Sequence, residues 1–216
     1  MLRPRISTNL AISADGKISS VARIPSGWTS EEDHARFMEL RKMADALLVG
    51  KGTLESDRMT MLVSGKSVQP LRCVVSRSGK FDTAHPVFHS PGGDIHLLVT
   101  GGESVDFPEF PDSNVTIHSK SLLVFLEALA SKYAVKHLHC EGGGQLIREL
   151  AALDVIDEFH VTLAGHTIFG GLEASTATGL PAGFLPATGI YEVSYFDAKP
   201  ELGECFVSYT RVRENG

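Results

Sequence analysis

Three short strand-like runs, Ala46–Val49, Ile95–Thr100 and His137–Cys140, each break off at glycine: Gly50-Lys51-Gly52, Gly101-Gly102 and Gly142-Gly143-Gly144. Runs of this length bounded by glycine read as buried strands. Between and after them the period changes. Leu122, Phe125, Leu126 and Leu129 follow the i, i+3, i+4, i+7 rule, and Leu146, Ile147, Leu150 and Leu153 line one face of a helix after the last glycine run. Parallel strands need long crossovers, usually helical. The chain is therefore expected to form an α/β fold with a mainly parallel central sheet flanked by helices.

The remaining pattern fits that frame. Arg5–Ser13 reads as a first strand, with Ile6, Thr8, Leu10 and Ile12 on a core-like face. Ser7, Asn9, Ala11 and Ser13 on the other face suit a strand bordering a cleft. A helix is expected to open at Ser30, with Asp33 as capping-box partner, acids in its first turn and Arg41 and Lys42 in its last. Phe37, Leu40 and Ala44 supply its apolar stripe. Leu71–Val75, Val115–His118 and Glu158–Leu163 read as further strands. Ile190–Phe196 and Cys205–Val212 alternate like an antiparallel hairpin with a loop at Lys199–Gly203. Asp106–Asn114 and Pro181–Pro186 are expected surface loops, and no linker splits residues 1–216, which read as a single domain.

Charge narrows the partners. The net charge of −6 argues against a nucleic-acid binder, which needs clustered Lys and Arg. Cys73, Cys140 and Cys205 are far apart, odd in number and set among apolar neighbours, so they read as buried free thiols of a reducing compartment. The N-terminus has no apolar signal region, and no stretch approaches the roughly 18 apolar residues of a membrane helix. A cytoplasmic protein is expected.

In open α/β sheets ligands bind at the carboxyl ends of strands. The glycine turns at those ends, with the unpaired N–H groups of a following helix, can cradle the phosphates of a dinucleotide. Geometry alone also explains glycine in short turns. It explains three in a row less well. None of the turns is a G-x-G-x-x-G fingerprint or a Walker A loop. Glu141, at the junction of strand and glycine turn, either meets a substrate or cofactor amide or accepts N–H groups of its own turn. Lys17, just past Asp15-Gly16, either reaches back to polarise a carbonyl or is a solvated loop lysine. His139-Cys140-Glu141 resembles the His-x-Glu of zinc deaminases but lacks its Cys-x-x-Cys partner, and His137 and His139 have no third ligand, so no metal is expected. No G-x-S-x-G elbow supports hydrolase chemistry.

Asn9-Leu10-Ala11-Ile12-Ser13-Ala14-Asp15-Gly16-Lys17-Ile18 is followed by Trp28-Thr29-Ser30, Leu40-Arg41 and Asp45-Ala46-Leu47-Leu48-Val49-Gly50-x-Gly52-Thr53. Then come Glu141-Gly142-Gly143-Gly144, Asp157-Glu158 and Ile168-Phe169-Gly170-Gly171. In this order and spacing the run, over about residues 4–212, resembles the RibD C-terminal reductase family, whose fold is similar to dihydrofolate reductase. The resemblance implies an NADPH-dependent reduction, best known for 5-amino-6-(5-phosphoribosylamino)uracil in riboflavin biosynthesis. It implies that Lys17 holds a pyrimidine carbonyl near the hydride path and that Glu141 stands between cofactor and substrate. Asn9, Asp15 and Trp28 would shape the substrate pocket, and Arg41 and Asp57 would serve the substrate phosphate. Gly50, Thr53, Ser76, Gly142, Gly143, Gly144 and Gln145 would contact NADPH. The family also usually forms homodimers.

One segment departs from the family pattern. Where it usually reads Asp-Asp-Pro-x-Leu-Thr, this chain has Asp57-Arg58-Met59-Thr60-Met61-Leu62. That motivates one alternative, a same-fold reductase of a pterin-like or other heterocycle; a further alternative, a non-catalytic nucleotide-binding protein, is opposed by the retention of Lys17 and Glu141. No deaminase segment precedes the reductase pattern, so the expectation is either a substrate supplied by a separate enzyme or a different substrate. Arg77 and Lys80 after the third strand are candidates for a 2′-phosphate clamp.

Overall fold

The structure, a computed structural model, describes residues 2–20, 27–101, 109–110, 114–178 and 190–212. Gly102, the Pro181–Pro186 loop and most of the Asp106–Asn114 loop lie outside the described residues. The chain divides into two compact units, one of residues 1–5 and 38–139, the other of residues 6–37 and 140–216.

In the first unit β2 (Ala46–Gly50), β3 (Leu71–Ser76), β4 (Ile95–Val99) and β5 (Val115–His118) pair side by side, all parallel. β2 and β4 are mostly apolar and buried almost throughout, as strands covered on both faces must be, while β5 is half-buried. α2 (Lys51–Ser56) follows β2 directly. α3 (Leu122–Tyr133) is capped by Ser121, whose hydroxyl accepts the Val124 N–H, and it buries the expected stripe of Leu122, Phe125, Leu126 and Leu129. β6 (His137–Cys140) lies next to β2. Asp45 fixes its entry: one carboxylate oxygen accepts the Lys136 and His137 N–H groups, each at 2.9 Å. His137 Nδ1 lies 3.1 Å from the Met43 carbonyl, which gives this buried ring a structural partner.

In the second unit β1 (Arg5–Ser13) pairs parallel with β7 (Glu158–Ala164). β9 (Glu204–Arg211) then pairs antiparallel with both β7 and β8 (Tyr191–Lys199). The fold is thus α/β with mainly parallel strands and a terminal antiparallel hairpin. Asp157 does for β1 what Asp45 does for β6: its buried carboxylate accepts the Ile6 N–H at 2.8 Å. α4 (Gly144–Ala152) buries Leu146, Ile147 and Leu150 but ends before Leu153, which is exposed rather than part of the expected stripe. α1 (Glu31–Met43) opens at Ser30 as expected, with the Asp33 N–H donating to the Ser30 hydroxyl at 3.1 Å. The reciprocal half of the capping box is absent. The Asp33 carboxylate instead accepts the Thr162 hydroxyl at 2.5 Å, and Arg36 donates to the Val207 carbonyl and Ser208 hydroxyl. These bonds fasten the start of α1 to β7 and β9.

Two expectations are corrected. The small polar face of β1 is closed at Ser7 and Ser13, which are buried, and only Asn9 and Ala11 are half-open. Of the three free thiols, Cys73 and Cys140 are buried, but Cys205, near the start of β9, is partly exposed.

A histidine pair, His96 buried and His118 half-buried, links β4 and β5. His96 Nδ1 lies 3.0 Å from His118 Nε2, with Tyr133 of α3 edge-on to the His96 ring. Burial, and then the neighbouring His118, push the His96 pKa down to about 4. Because the folded value lies below the unfolded value of about 6.5, the unfolded chain binds more protons in that window. The stabilising contribution is complete above the unfolded pKa and is lost as pH falls toward 4. Denaturant melts between pH 7.5 and 4.5 should show a loss on the order of 2 kcal/mol that His96→Gln reduces. Equal losses in both proteins would contradict this.

Candidate active site

β6 ends at Cys140, and the chain turns into α4 through Glu141, Gly142 and Gly143. Gly142 has φ 103° and Gly143 has φ 89°, ψ 103°, torsions that residues with a Cβ rarely hold. Gly143 is the N-cap of α4 and, having no side chain, makes no capping hydrogen bond to it. The positive end of the helix dipole lies at the same place. The turn rests on β1: a Cβ on Gly142 would sit 3.7 Å from Leu10 Cδ2 and 4.0 Å from the Asn9 carbonyl oxygen. Asn9 Oδ1 is shielded from solvent and has no hydrogen-bond partner among the described residues. Glu141 is half-buried at the junction, Gly144 is buried and Gln145 is exposed. Burial pushes the Cys140 thiol up to about 12, which leaves it inert as a nucleophile.

Lys17 sits on a clamped turn. Its N–H donates to the Ser13 hydroxyl at 3.0 Å, its carbonyl accepts the Ser13 N–H at 2.8 Å, and it bridges to Thr176. The half-buried side chain has no hydrogen-bond or ion-pair partner among the described residues. Asp15, in the same turn, is occupied. Its carboxylate accepts the Ser13 hydroxyl at 2.6 Å, the Gly170 N–H at 2.8 Å and the Phe169 N–H at 3.3 Å. The Ser13 hydroxyl first, then these amides, hold its carboxyl below the ordinary range. Phe169 meets the Trp28 ring edge-on at 5.0 Å. Asp15 therefore holds the wall that Trp28 forms. The motif at Ile168–Gly171 was readable in the sequence, but the pairing of Phe169 with Trp28 was not, because it joins segments far apart in the chain.

The remaining candidates lie in the first unit. Gly50 has φ −74°, ψ 143°, which any residue adopts, and a Cβ there would meet nothing within 4 Å. Neither torsion nor packing requires glycine at this strand end, which leaves room for a close ligand. Thr53 is half-buried on α2. Gly101 has a packing reason: a Cβ would fall 2.1 Å from the Arg77 carbonyl oxygen. Ser76 is buried and its hydroxyl accepts the Gly79 N–H, while Arg77 and Lys80 beyond it are exposed. Arg41 is buried, with Nη1 3.5 Å from the Leu62 carbonyl, so it helps hold the departing segment.

That segment has a definable shape. Asp57 caps α2, Arg58 N–H donates to the Glu55 carbonyl and Met59 N–H to the Leu54 carbonyl. This is a Schellman ending with Arg58, at φ 48°, in the position glycine usually takes. Met61 repeats the left-handed torsion at φ 59° and is buried in the core. Among the described residues no group of three or more His, Cys, Asp or Glu side chains is gathered to hold a metal.

The mainly parallel α/β strands, the terminal antiparallel hairpin and the glycine turn into α4 are those of a reductase of the dihydrofolate-reductase-like fold. The chain matches the model of the RibD C-terminal domain over residues 4–185 and belongs to that family. It is 28% identical over 195 residues to the 2,5-diamino-6-ribosylamino-4(3H)-pyrimidinone 5′-phosphate reductase of Archaeoglobus fulgidus, covering 81% of this chain and 86% of that protein. The Methanothermobacter thermautotrophicus protein of the same name is 26% identical over 182 residues, covering 81% and 83%. Among solved structures, a Thermotoga maritima deaminase/5-amino-6-(5-phosphoribosylamino)uracil reductase superposes with a TM-score of 0.77 at 22% identity, over 97% of this chain. The chain spans 57% of that bifunctional protein. Dihydrofolate reductase of Enterococcus faecalis shares the fold, with a TM-score of 0.54 at 18% identity over 97% of each chain.

The two kinds of glycine predict different responses. Gly143→Ala should cost about 1–3 kcal/mol of stability, because the torsion is closed to alanine. Gly50→Ala should leave stability within about 0.5 kcal/mol, yet weaken binding of a reduced dinucleotide. Thermal melts with a fluorescence titration check both. Unchanged affinity in folded Gly50→Ala would remove Gly50 from the site.

Proposed function

We propose that this chain is an NADPH-dependent reductase of riboflavin biosynthesis, acting on 5-amino-6-(5-phosphoribosylamino)uracil. The observation that carries the reading is the Gly142–Gly143 turn, which opens α4 against β1 with a glycine in place of a capping side chain. Both units belong to one reductase domain in this reading, supported by a family match that runs through both.

The residues fit the cofactor. A helix N-terminus opened by a glycine rather than a capping side chain suits a pyrophosphate, and the open space over Gly50 suits a close-lying dinucleotide. When bound, NADPH supplies the hydride. The net reaction breaks the C1′–O4′ bond of the ribose, gives C1′ the hydride and gives O4′ a proton. The protein's part is to orient and to exclude water. Lys17 donates to a pyrimidine carbonyl from a turn held on both sides. The unpartnered Asn9 Oδ1 suits a ring N–H or an exocyclic amino group. Trp28 and Phe169 close the pocket to solvent, and Glu141 stands between cofactor and substrate. No covalent nucleophile is required, in keeping with the inert Cys140.

A second reading concerns the pyrimidine. The Archaeoglobus and Methanothermobacter relatives are named for the diaminopyrimidinone rather than the uracil. NADPH oxidation with each compound decides. Consumption with the uracil supports the first reading, consumption only with the diaminopyrimidinone the second, and consumption only with a pterin the heterocycle alternative. No consumption with any of them would remove the enzymatic reading. Lys17→Ala should lower turnover about tenfold or more with NADPH affinity changed less than about twofold. Unchanged turnover would take Lys17 out of the mechanism.

The protein is also proposed to be a cytoplasmic homodimer that binds neither nucleic acid nor membrane. Free thiols favour a reducing compartment, the net charge of −6 disfavours nucleic acid, and no described helix is long and apolar enough to cross a membrane. Val193 and Phe196 on β8, with Ile190 and Val212 beside it, expose apolar side chains that a second copy would cover. Sedimentation should give twice the 23.3 kDa chain mass, and Phe196→Lys should give the monomer. A monomeric wild-type protein would contradict this.

A further inference from the structure

The buried carboxylate of Glu204 takes no part in the chemistry above, yet three groups converge on it. Glu204 opens β9, and its side chain is 0% exposed. Oε1 accepts the Ser30 N–H at 2.9 Å, Oε2 accepts the Ser30 hydroxyl at 2.5 Å, and His166 Nε2 lies 3.2 Å from Oε1. A carboxylate is costly to bury unless its oxygens are satisfied, and here both are.

Helix capping alone does not call for this carboxylate. Ser30 already caps α1 by accepting the Asp33 N–H, the usual arrangement for a serine cap. Glu204 adds a second grip on the outer side of the cap. It seizes both donors of Ser30, two residues after Trp28. Trp28 in turn leans on Phe169, and the amides of Phe169 and Gly170 are held by Asp15 in the turn that carries Lys17. His166, on the same connection as Phe169, is tied to Glu204 as well. One buried carboxylate thus fixes both partners of the aromatic pair, Trp28 through Ser30 and Phe169 through His166.

We propose that Glu204 is a positioning residue for the reaction, which sets the Trp28–Phe169 wall beside Lys17 by holding Ser30 and His166. The proposal deepens the reductase reading and rests on it for the effect on substrate. Its effect on Trp28 does not depend on that reading.

Trp28 is the only tryptophan of the chain, so intrinsic fluorescence reports this wall alone. In Glu204→Ala, acrylamide quenching of Trp28 should rise about twofold and its emission should shift to the red. KM for the pyrimidine substrate should rise about fivefold or more, with kcat and NADPH affinity changed less than about threefold. Glu204→Gln keeps an acceptor for the Ser30 N–H and should recover most of both effects. Ser30→Ala, which retains the Glu204 carboxylate, should reproduce a smaller part of both and carries the test if Glu204→Ala does not fold. A folded Glu204→Ala, or Ser30→Ala where Glu204→Ala does not fold, with wild-type quenching and wild-type KM, or with a lowered melting temperature alone, would overturn the proposal. Should the wild-type protein reduce no pyrimidine, the reductase reading fails, and the quenching arm still decides whether Glu204 sets Trp28.

Discussion

Two successive torsions, φ 103° at Gly142 and φ 89° at Gly143, fix where the sheet edge can meet a ligand. They turn the chain so sharply from β6 into α4 that the helix begins with no side-chain cap. A serine or aspartate cap in the usual conformation would satisfy those amides and close the place to an anion. The turn therefore gives up the stability that a capping side chain would add to the helix. The helix is retained through Leu146, Ile147 and Leu150, whose burial offsets the missing cap.

The strands that present this turn are held by carboxylates of a different kind. Asp45 accepts the two N–H groups at the entry to β6, and Asp157 accepts the first core N–H of β1. Each sets a strand at its start, and so sets where its far end stops. Asp15 repeats the device at the other end of β1, where it binds the amides of Phe169 and Gly170. Three residues of the family motifs thus position backbone, and Lys17 and Asn9 are left with groups that no described residue satisfies. A division between carboxylates that hold and polar groups that wait is what a preorganised site needs.

Local patterns made much of this legible. Strand and helix positions follow from period alone, and β1, β5, β6 and α3 fall where the alternation and the i, i+3, i+4 spacing put them. The glycine turn was visible because three glycines in sequence have few other uses. What stayed hidden depends on contacts between distant segments. Nothing near Asp15 tells that its oxygens are spent on residues more than a hundred and fifty positions away. Nothing near Glu204 points to Ser30. The face of β1 was read as open, but Ser7 and Ser13 are buried, because a small polar residue fits equally a cleft and a tight contact. Arg58 in a left-handed position at the end of α2 is likewise invisible in composition, since its torsion is set by the helix ending.

The central claim is that amides at the opening of α4 grip a reduced dinucleotide. A crystal structure of the protein with NADPH tests it most directly. The account predicts pyrophosphate oxygens within hydrogen-bond distance of the backbone N–H groups of Gly144 and Gln145. Density for the pyrophosphate at another strand end, with those amides bound to water alone, would contradict it.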